Sequence, residues 1–232
     1  MTVTLTPSIV RCQGTIEERA HLVNELNCER VHVDLALGLD FPVLLTLESF
    51  GMRERGYFQS AVDLHVFSFV EVRELSKLPL KSGDRLIVHY LPGTQKIPLS
   101  LLRRKAREQG AEFGLCVGLD VPFDRLARIV KEKDLLMILA IPIGGSGLPL
   151  DARTLPLLKK LRDSIANPRG CTLGIDGGVN EWSFGALCSY VDVVVLGGLL
   201  LNTSDLKQRW KELSLLADRI PNGKERRSHE LP

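Results

Sequence analysis

Residues Thr172–Gly178 read Thr-Leu-Gly-Ile-Asp-Gly-Gly, a short apolar run that ends on an aspartate and turns at once through two glycines. A run apolar on both faces suits a strand of a parallel sheet covered by helices, and the glycines suit a tight turn into the next helix. The same unit recurs along the chain. Comparable runs stand at Val3–Ser8, Arg30–Asp34, Ala61–Val66, Arg85–Tyr90, Glu112–Val117, Leu135–Ile141 and Asp192–Leu196, which makes eight in all. Between them, Ile16–Asn27, Leu99–Gln109, Pro122–Lys131, Leu155–Ile165 and Asp205–Leu216 repeat apolar residues every three or four positions with charges between, the pattern of amphipathic helices.

Eight strand–helix units in 232 residues average about 29 residues each, enough for one strand, one helix and two short loops. This predicts an α/β fold of the (β/α)8 TIM-barrel class, a single domain over residues 1–220, with a flexible polar tail over 221–232. An open doubly wound sheet would carry a glycine-rich loop after its first strand. Here Ile9-Val10-Arg11-Cys12 follows instead, without a GxGxxG motif.

In such a barrel the chemistry gathers at the C-terminal ends of the strands. Those ends carry Ser8, His32 with Asp34, His65, His89, Gly118, Pro142 followed by Gly144-Gly145, Asp176 followed by Gly177-Gly178, and Gly197-Gly198. His32 and Asp34 are two apart on one strand, so their side chains share a face. With His65 and Asp176 they make a set of two imidazoles and two carboxylates. That mixture suits one divalent transition metal (Zn, Fe(II), Mn or Co) better than calcium or magnesium, which prefer all-oxygen shells. Any one strand histidine is more often a core group than a ligand; their joint position at strand ends is what singles them out. The glycine pairs 177–178 and 197–198 fall where barrels often bind phosphate through backbone N–H groups, and otherwise simply permit tight turns. Gly144-Gly145-Ser146-Gly147 reads as a lid, a further phosphate contact or a plain loop.

Composition narrows the class of partner. Hydrophobic residues make up 44% and charged residues 25%, ordinary for a globular domain, and 30 Lys and Arg against 28 Asp and Glu leave +2. Neither nucleic acid nor a membrane is expected as partner; a small molecule is. The five cysteines, Cys12, Cys28, Cys116, Cys171 and Cys188, lack any CxxC pair and sit mostly in apolar runs, as buried free thiols of a reducing compartment do. Without a leader-like or membrane-spanning segment, a cytoplasmic location is expected.

These motifs resemble the ribulose-phosphate 3-epimerase family from about Thr6 to Asn202. Thr6-Pro7-Ser8-Ile9-Val10 is similar to the family's Ala-Pro-Ser-Ile-Leu, His32-Val33-Asp34 to its His-Val-Asp, and Asp63-Leu64-His65 to its Asp-Val-His. Ile175-Asp176-Gly177-Gly178-Val179-Asn180 is nearly identical to its last acidic motif. The resemblance implies a metal-dependent epimerase inverting C3 of a phosphorylated ketose. His32, Asp34, His65 and Asp176 would then be the metal ligands, with Asp34 and Asp176 doubling as the acid/base pair. Ser8 and His65 would line the substrate pocket, and Gly144, Gly145, Gly177, Gly178, Gly197 and Gly198 would hold the substrate and its phosphate. It further implies a homo-oligomer. The chain departs from the family at the pocket wall. Ala36 and Leu37 stand where the family has Met and Asp, Phe67 where it has Met, Gly118-Leu119 where it has Asn-Pro, and the loop after Pro142 is shorter. An epimerase of a hexulose phosphate such as allulose 6-phosphate, and a catalytically silent barrel serving as a binding protein, are the alternatives. Lysine-dependent chemistry on the same barrel is disfavoured, because Asp34-Leu35-Ala36 lacks the lysine of an Asp-x-Lys motif.

Overall fold

A computed structural model describes residues 3–37, 44–46, 49–68, 77–91, 98–143, 145 and 147–220. The eight strands are β1 Thr4–Pro7, β2 Arg30–Leu37, β3 Ala61–Ser68, β4 Arg85–His89, β5 Glu112–Gly118, β6 Leu135–Leu139, β7 Thr172–Asp176 and β8 Val193–Leu196. They form one eight-stranded sheet in the order β1-β8-β7-β6-β5-β4-β3-β2. Thr4 at the head of β1 donates to the Asp192 carbonyl at 2.8 Å, and Ser8 just past its end bridges His32 of β2. Eight strands alternating with helices along the chain are what the predicted (β/α)8 barrel requires.

The alternating helices are α1 Ile16–Asn24, α2 Met52–Arg55, α3 Leu99–Glu108, α4 Phe123–Ile129, α5 Thr154–Leu161, α6 Asn167–Arg169, α7 Glu181–Cys188, α8 Gly198–Leu201 and α9 Leu206–Asp218, with a π turn, Arg162–Ala166, between α5 and α6. The predicted helix over 16–27 stops at Asn24 because Asn27 adopts a left-handed φ of 49°. Sequence periodicity gave no sign of α7, which is short and carries Gly185. Its start is set by Asn180, whose side chain accepts from the N–H groups of Trp182 and Ser183 at 3.0 Å each. Strand β2 runs three residues beyond Asp34. Ala36 N–H donates to the Leu45 carbonyl at 2.8 Å, and Leu45 N–H donates back to the Asp34 carbonyl at 3.3 Å, so this stretch still has a backbone partner after the sequence run ends. The expected tail, Gly144 and Ser146 lie outside the described residues.

The chain divides into two compact units, Pro7–Val117 and Met1–Thr6 with Gly118–Pro232. In the first, β2 to β5 pair in parallel, and both faces of β2 are buried: Val31, Val33 and Leu35 on one, His32, Asp34 and Ala36 on the other. At the N-terminal ends, buried Asp63 accepts from Arg30 at 3.0 Å and Arg85 at 3.2 Å, and both guanidiniums reach Glu112, at 2.9 and 2.8 Å. In the second unit β6 and β7 pair in register over five residues, with Leu136, Ile138, Leu173 and Ile175 fully buried. Arg162, at the start of the π turn, donates to the Tyr190 carbonyl and pairs with Asp192 at 2.9 Å. All five cysteines are buried, as expected.

One buried ion pair ties α2 to the strands. Arg55 meets Asp84 through Nε at 2.8 Å and Nη2 at 2.5 Å, while the same carboxylate accepts from the N–H groups of Val62 and Lys81 at 2.8 Å each. Removing one member of such a pair strands a buried charge at a cost of roughly 3–5 kcal/mol. Arg55→Ala should lower the urea-unfolding free energy by about that amount. A loss under 1 kcal/mol would show that the pair does not organise this region.

Candidate metal centre

Within the unit Pro7–Val117, β2 and β3 pair without interruption from Arg30↔Ala61 to Leu37↔Ser68, which sets Asp34 directly beside His65. The pleat puts His32, Asp34 and His65 on one face. His32 Nε2 and His65 Nδ1 both lie 3.1 Å from Asp34 Oδ1. Both rings are fully buried and the carboxylate nearly so; the rings stand edge to face, with centroids 5.3 Å apart. Burial by itself would push the Asp34 carboxyl up, but the charge and hydrogen bonding of His32 and then of His65 outweigh it and hold the group well below the usual carboxylate range.

This arrangement fits a metal. Ligands bonded at about 2.0–2.1 Å to an ion stand roughly 2.8–3.0 Å from their neighbours in an octahedral shell and roughly 3.3–3.4 Å in a tetrahedral one. The two 3.1 Å separations fall between those two ranges, and the ligand atoms of His32, Asp34 and His65 lie within 4.8 Å of each other. The donors, two neutral-capable imidazoles and one anion, are those of zinc and its first-row neighbours.

A further layer stands beyond this cluster on the same face. Ala36 is paired with Phe67 across β2 and β3, and His89 with Cys116 across β4 and β5. Phe67 packs on His65 at 4.0 Å and on His89 at 5.0 Å, near-parallel to the latter. Burial, and then the neighbouring His65, push His89 down to about 3, so its ring is neutral. The strand-end position of His89 was visible in the sequence; that it shares a layer with Cys116 needed the cross-strand register.

Ser8 is buried, and its hydroxyl accepts from Val10 N–H at 3.4 Å beside the bridge to His32. In the other unit, Asp176 is the last residue of β7, half-buried, and its carbonyl accepts from Ala140 N–H at 2.8 Å. Gly177 and Gly178 follow with φ of 85° and 71°. A Cβ at Gly177 would lie 2.4 Å from Ile141, and one at Gly178 2.8 Å from the Leu150 backbone, so both glycines are demanded by conformation and packing. Gly197 differs: a Cβ there would meet nothing within 4 Å. Gly145 donates its N–H to the Pro142 carbonyl at 2.9 Å, closing a turn. Arg209, which the sequence reading passed over, reaches from α9 to the Leu199 carbonyl of α8 at 3.2 Å and to Glu181 in the first turn of α7. It links the segments that follow the two glycine pairs.

Compared with known families, residues 4–201 match the model of the ribulose-phosphate 3-epimerase family. The chain belongs to that family. Membership supports a phosphosugar-processing barrel, consistent with the resemblance read from the motifs. No curated protein matches the chain. Among solved structures it resembles 3-hexulose-6-phosphate synthase from Salmonella typhimurium, with a TM-score of 0.66, 13% identity, and coverage of 94% of this chain and 100% of that one. It also resembles KGPDC from Streptococcus mutans (0.61, 10%, 95% and 99%). Thiamine phosphate pyrophosphorylase from Pyrococcus furiosus is similar too (0.59, 15%, 94% and 96%). At these identities the likeness is one of fold. No helix among the described residues is long and apolar enough to cross a membrane.

A ligand that binds only the folded chain stabilises it by about 2.7 kcal/mol at a hundred times its Kd. Chelator-treated protein should therefore gain thermal stability on addition of Mn²⁺, and Asp34→Asn should lose most of that gain. An equal gain in the variant would remove Asp34 from the metal site.

Proposed function

We propose that this member of the epimerase family is a metal-dependent 3-epimerase of a phosphorylated ketose, of the ribulose 5-phosphate/xylulose 5-phosphate type. The observation that carries the reading is the His32–Asp34–His65 cluster, buried and spaced as metal ligands are, in a chain whose family acts on phosphosugars. Asp176 is the fourth ligand by its match to the family's last acidic motif. A divalent transition ion held by these side chains would supply Lewis acidity toward the substrate's carbonyl and hydroxyl oxygens.

The chain's own residues do the rest. Inverting a carbon next to a carbonyl requires taking its proton from one face and returning one to the other. Asp34, held as a carboxylate, and Asp176 divide that work, as the family resemblance assigns it. His32 Nε2 and His65 Nδ1, each 3.1 Å from one Asp34 oxygen, stand where they and that oxygen would share the ion. Burial keeps bulk water from competing for it. For the phosphate, the segment at Gly197 supports the reading better than Gly177 and Gly178, since the latter are already explained by their turn while a Cβ at 197 would face open space. Ser8 lines the pocket, and Arg209 positions α7 and α8 for that role. A cytoplasmic homo-oligomer completes the proposal, on the family's pattern alone.

A second reading rests on the wall. Ala36 and Phe67, both buried, put a methyl group and a packed ring where the family has two flexible methionines, and such a change alters which substrate fits by about 1–3 kcal/mol per methylene-sized difference. A hexulose phosphate such as allulose 6-phosphate is the alternative substrate that such a changed wall would admit. The reaction and the residues remain the same.

Both readings predict exchange of the substrate's C3 hydrogen with solvent deuterium, followed by NMR over a panel of ketose phosphates. Asp176→Asn should slow exchange by about 10² to 10⁴ while leaving the fold intact. Exchange at the wild-type rate would overturn the assignment of Asp176, and no exchange on any ketose phosphate by the metal-loaded protein would favour the silent binding barrel. Preference within the panel separates the pentulose from the hexulose reading.

A further inference from the structure

Beside the cluster of His32, Asp34 and His65 stands a second group of metal-competent side chains, two of which the proposed reaction does not use. His65 of β3, His89 of β4 and Cys116 of β5 are all buried, and one ligand atom from each lies within 4.8 Å of the others. His89 and Cys116 are direct partners in the β4–β5 register, so their side chains leave the sheet on the same face, one layer beyond His65. His65 turns its Nδ1 edge to Asp34 at 3.1 Å. The covalent geometry of imidazole then aims Nε2 the opposite way. Its ring centroid lies 5.7 Å from that of His89, and Phe67, packed against both rings, holds their orientation.

His89 supplies an independent sign of a missing ligand. It is 2% exposed, and its Nδ1 has no hydrogen-bond partner among the described residues. A polar atom buried without a partner is costly and uncommon, and a bound water or ion is one of the ways a protein satisfies it.

We propose that His65, His89 and Cys116 form a second metal site, of the thiolate–imidazole class that takes zinc, with His65 shared between the two centres. Two imidazoles and a sulfur are a softer set than the His–Asp–His cluster and select zinc or copper(I) over the oxygen-seeking ions. As the site fills beside the first, the Cys116 thiol and the remaining N–H of the shared His65 ring, which binds through both nitrogens as an imidazolate, each release a proton to solvent, so binding tightens as pH rises. Three protein ligands leave a further coordination position open. The site needs no substrate, and its test is separate from that of the epimerase reading.

The test is titration of the chelator-stripped full chain with Co²⁺ and, in parallel, Zn²⁺. The wild-type protein should take up two equivalents, with the intense near-ultraviolet band of a cobalt thiolate accompanying one of them. Cys116→Ser should bind a single equivalent and show no band. His89→Gln, which leaves every cysteine in place, should also lose the band, assigning it to this cluster rather than to another thiol. Asp34→Asn should keep the band while losing the other equivalent. A wild-type protein that binds cobalt without a thiolate band overturns the proposal, as does a band that survives in either Cys116→Ser or His89→Gln. Should one of these two variants fail to fold, the other still decides.

Discussion

The parallel register of β2 through β5 governs the half of the molecule in which the chemistry is best defined. Side chains along a strand alternate between faces with a period of two, so a slip of a single residue would exchange every inward group for an outward one. The observed pairing sets His32 beside Asp63, Asp34 beside His65 and Ala36 beside Phe67 across one strand pair. It continues with Asp63 beside Arg85 and with Arg85 beside Glu112. Three layers result on one face: an ionic floor, a His–Asp–His cluster, and a layer holding Phe67, His89 and Cys116. Val31, Val33 and Leu35 on the other face are wholly buried, and their burial makes any slipped register expensive.

Burying ionisable groups this densely is unfavourable unless each finds a counterpart. Asp34 finds two imidazole nitrogens on one oxygen, and Asp63 finds two guanidiniums, one on each. The two solutions differ in kind. The floor pairs carboxylates with arginines, which stay protonated and do not bind metals, so it is a structural device. The middle layer pairs a carboxylate with histidines, whose nitrogens can exchange a proton for a metal ion, so the same arrangement is available for chemistry. The protein thus separates support from function by choice of cation over a rise of only two residues along each strand.

Much of this was legible in the sequence because strand ends announce themselves: an apolar run that stops at His32-Val33-Asp34, Leu64-His65 or Ile175-Asp176-Gly177-Gly178 marks both the strand and its polar terminus. The eight strands lie where those runs predicted, and His32, Asp34 and His65 do meet. What escaped were features that depend on relations between distant segments. Cys116 reads in isolation as one more buried thiol, and only its pairing with His89 gives it company. Arg30, Arg85 and Glu112 looked like ordinary charges at strand starts until the register joined them. Helix α7 carries too few apolar repeats to be seen by periodicity, although Asn180 marks its beginning. Arg209 belongs to a helix that was foreseen, but its reach to Leu199 and Glu181 follows from packing that no local pattern encodes.

The ionic floor also bears on how long the folded state lasts. Arg30 and Glu112 are 82 residues apart in the chain, and their contact closes only after four strands have come into register. Such a contact has little to offer while the chain is still finding its topology, because the loop it would close is long and the entropy lost is not yet repaid. Its energy falls on the barrier out of the native state and leaves the barrier into it almost untouched. The floor is in this sense a latch: it does little to hasten assembly, and it slows the opening through which a protease or an aggregating neighbour would reach the strands.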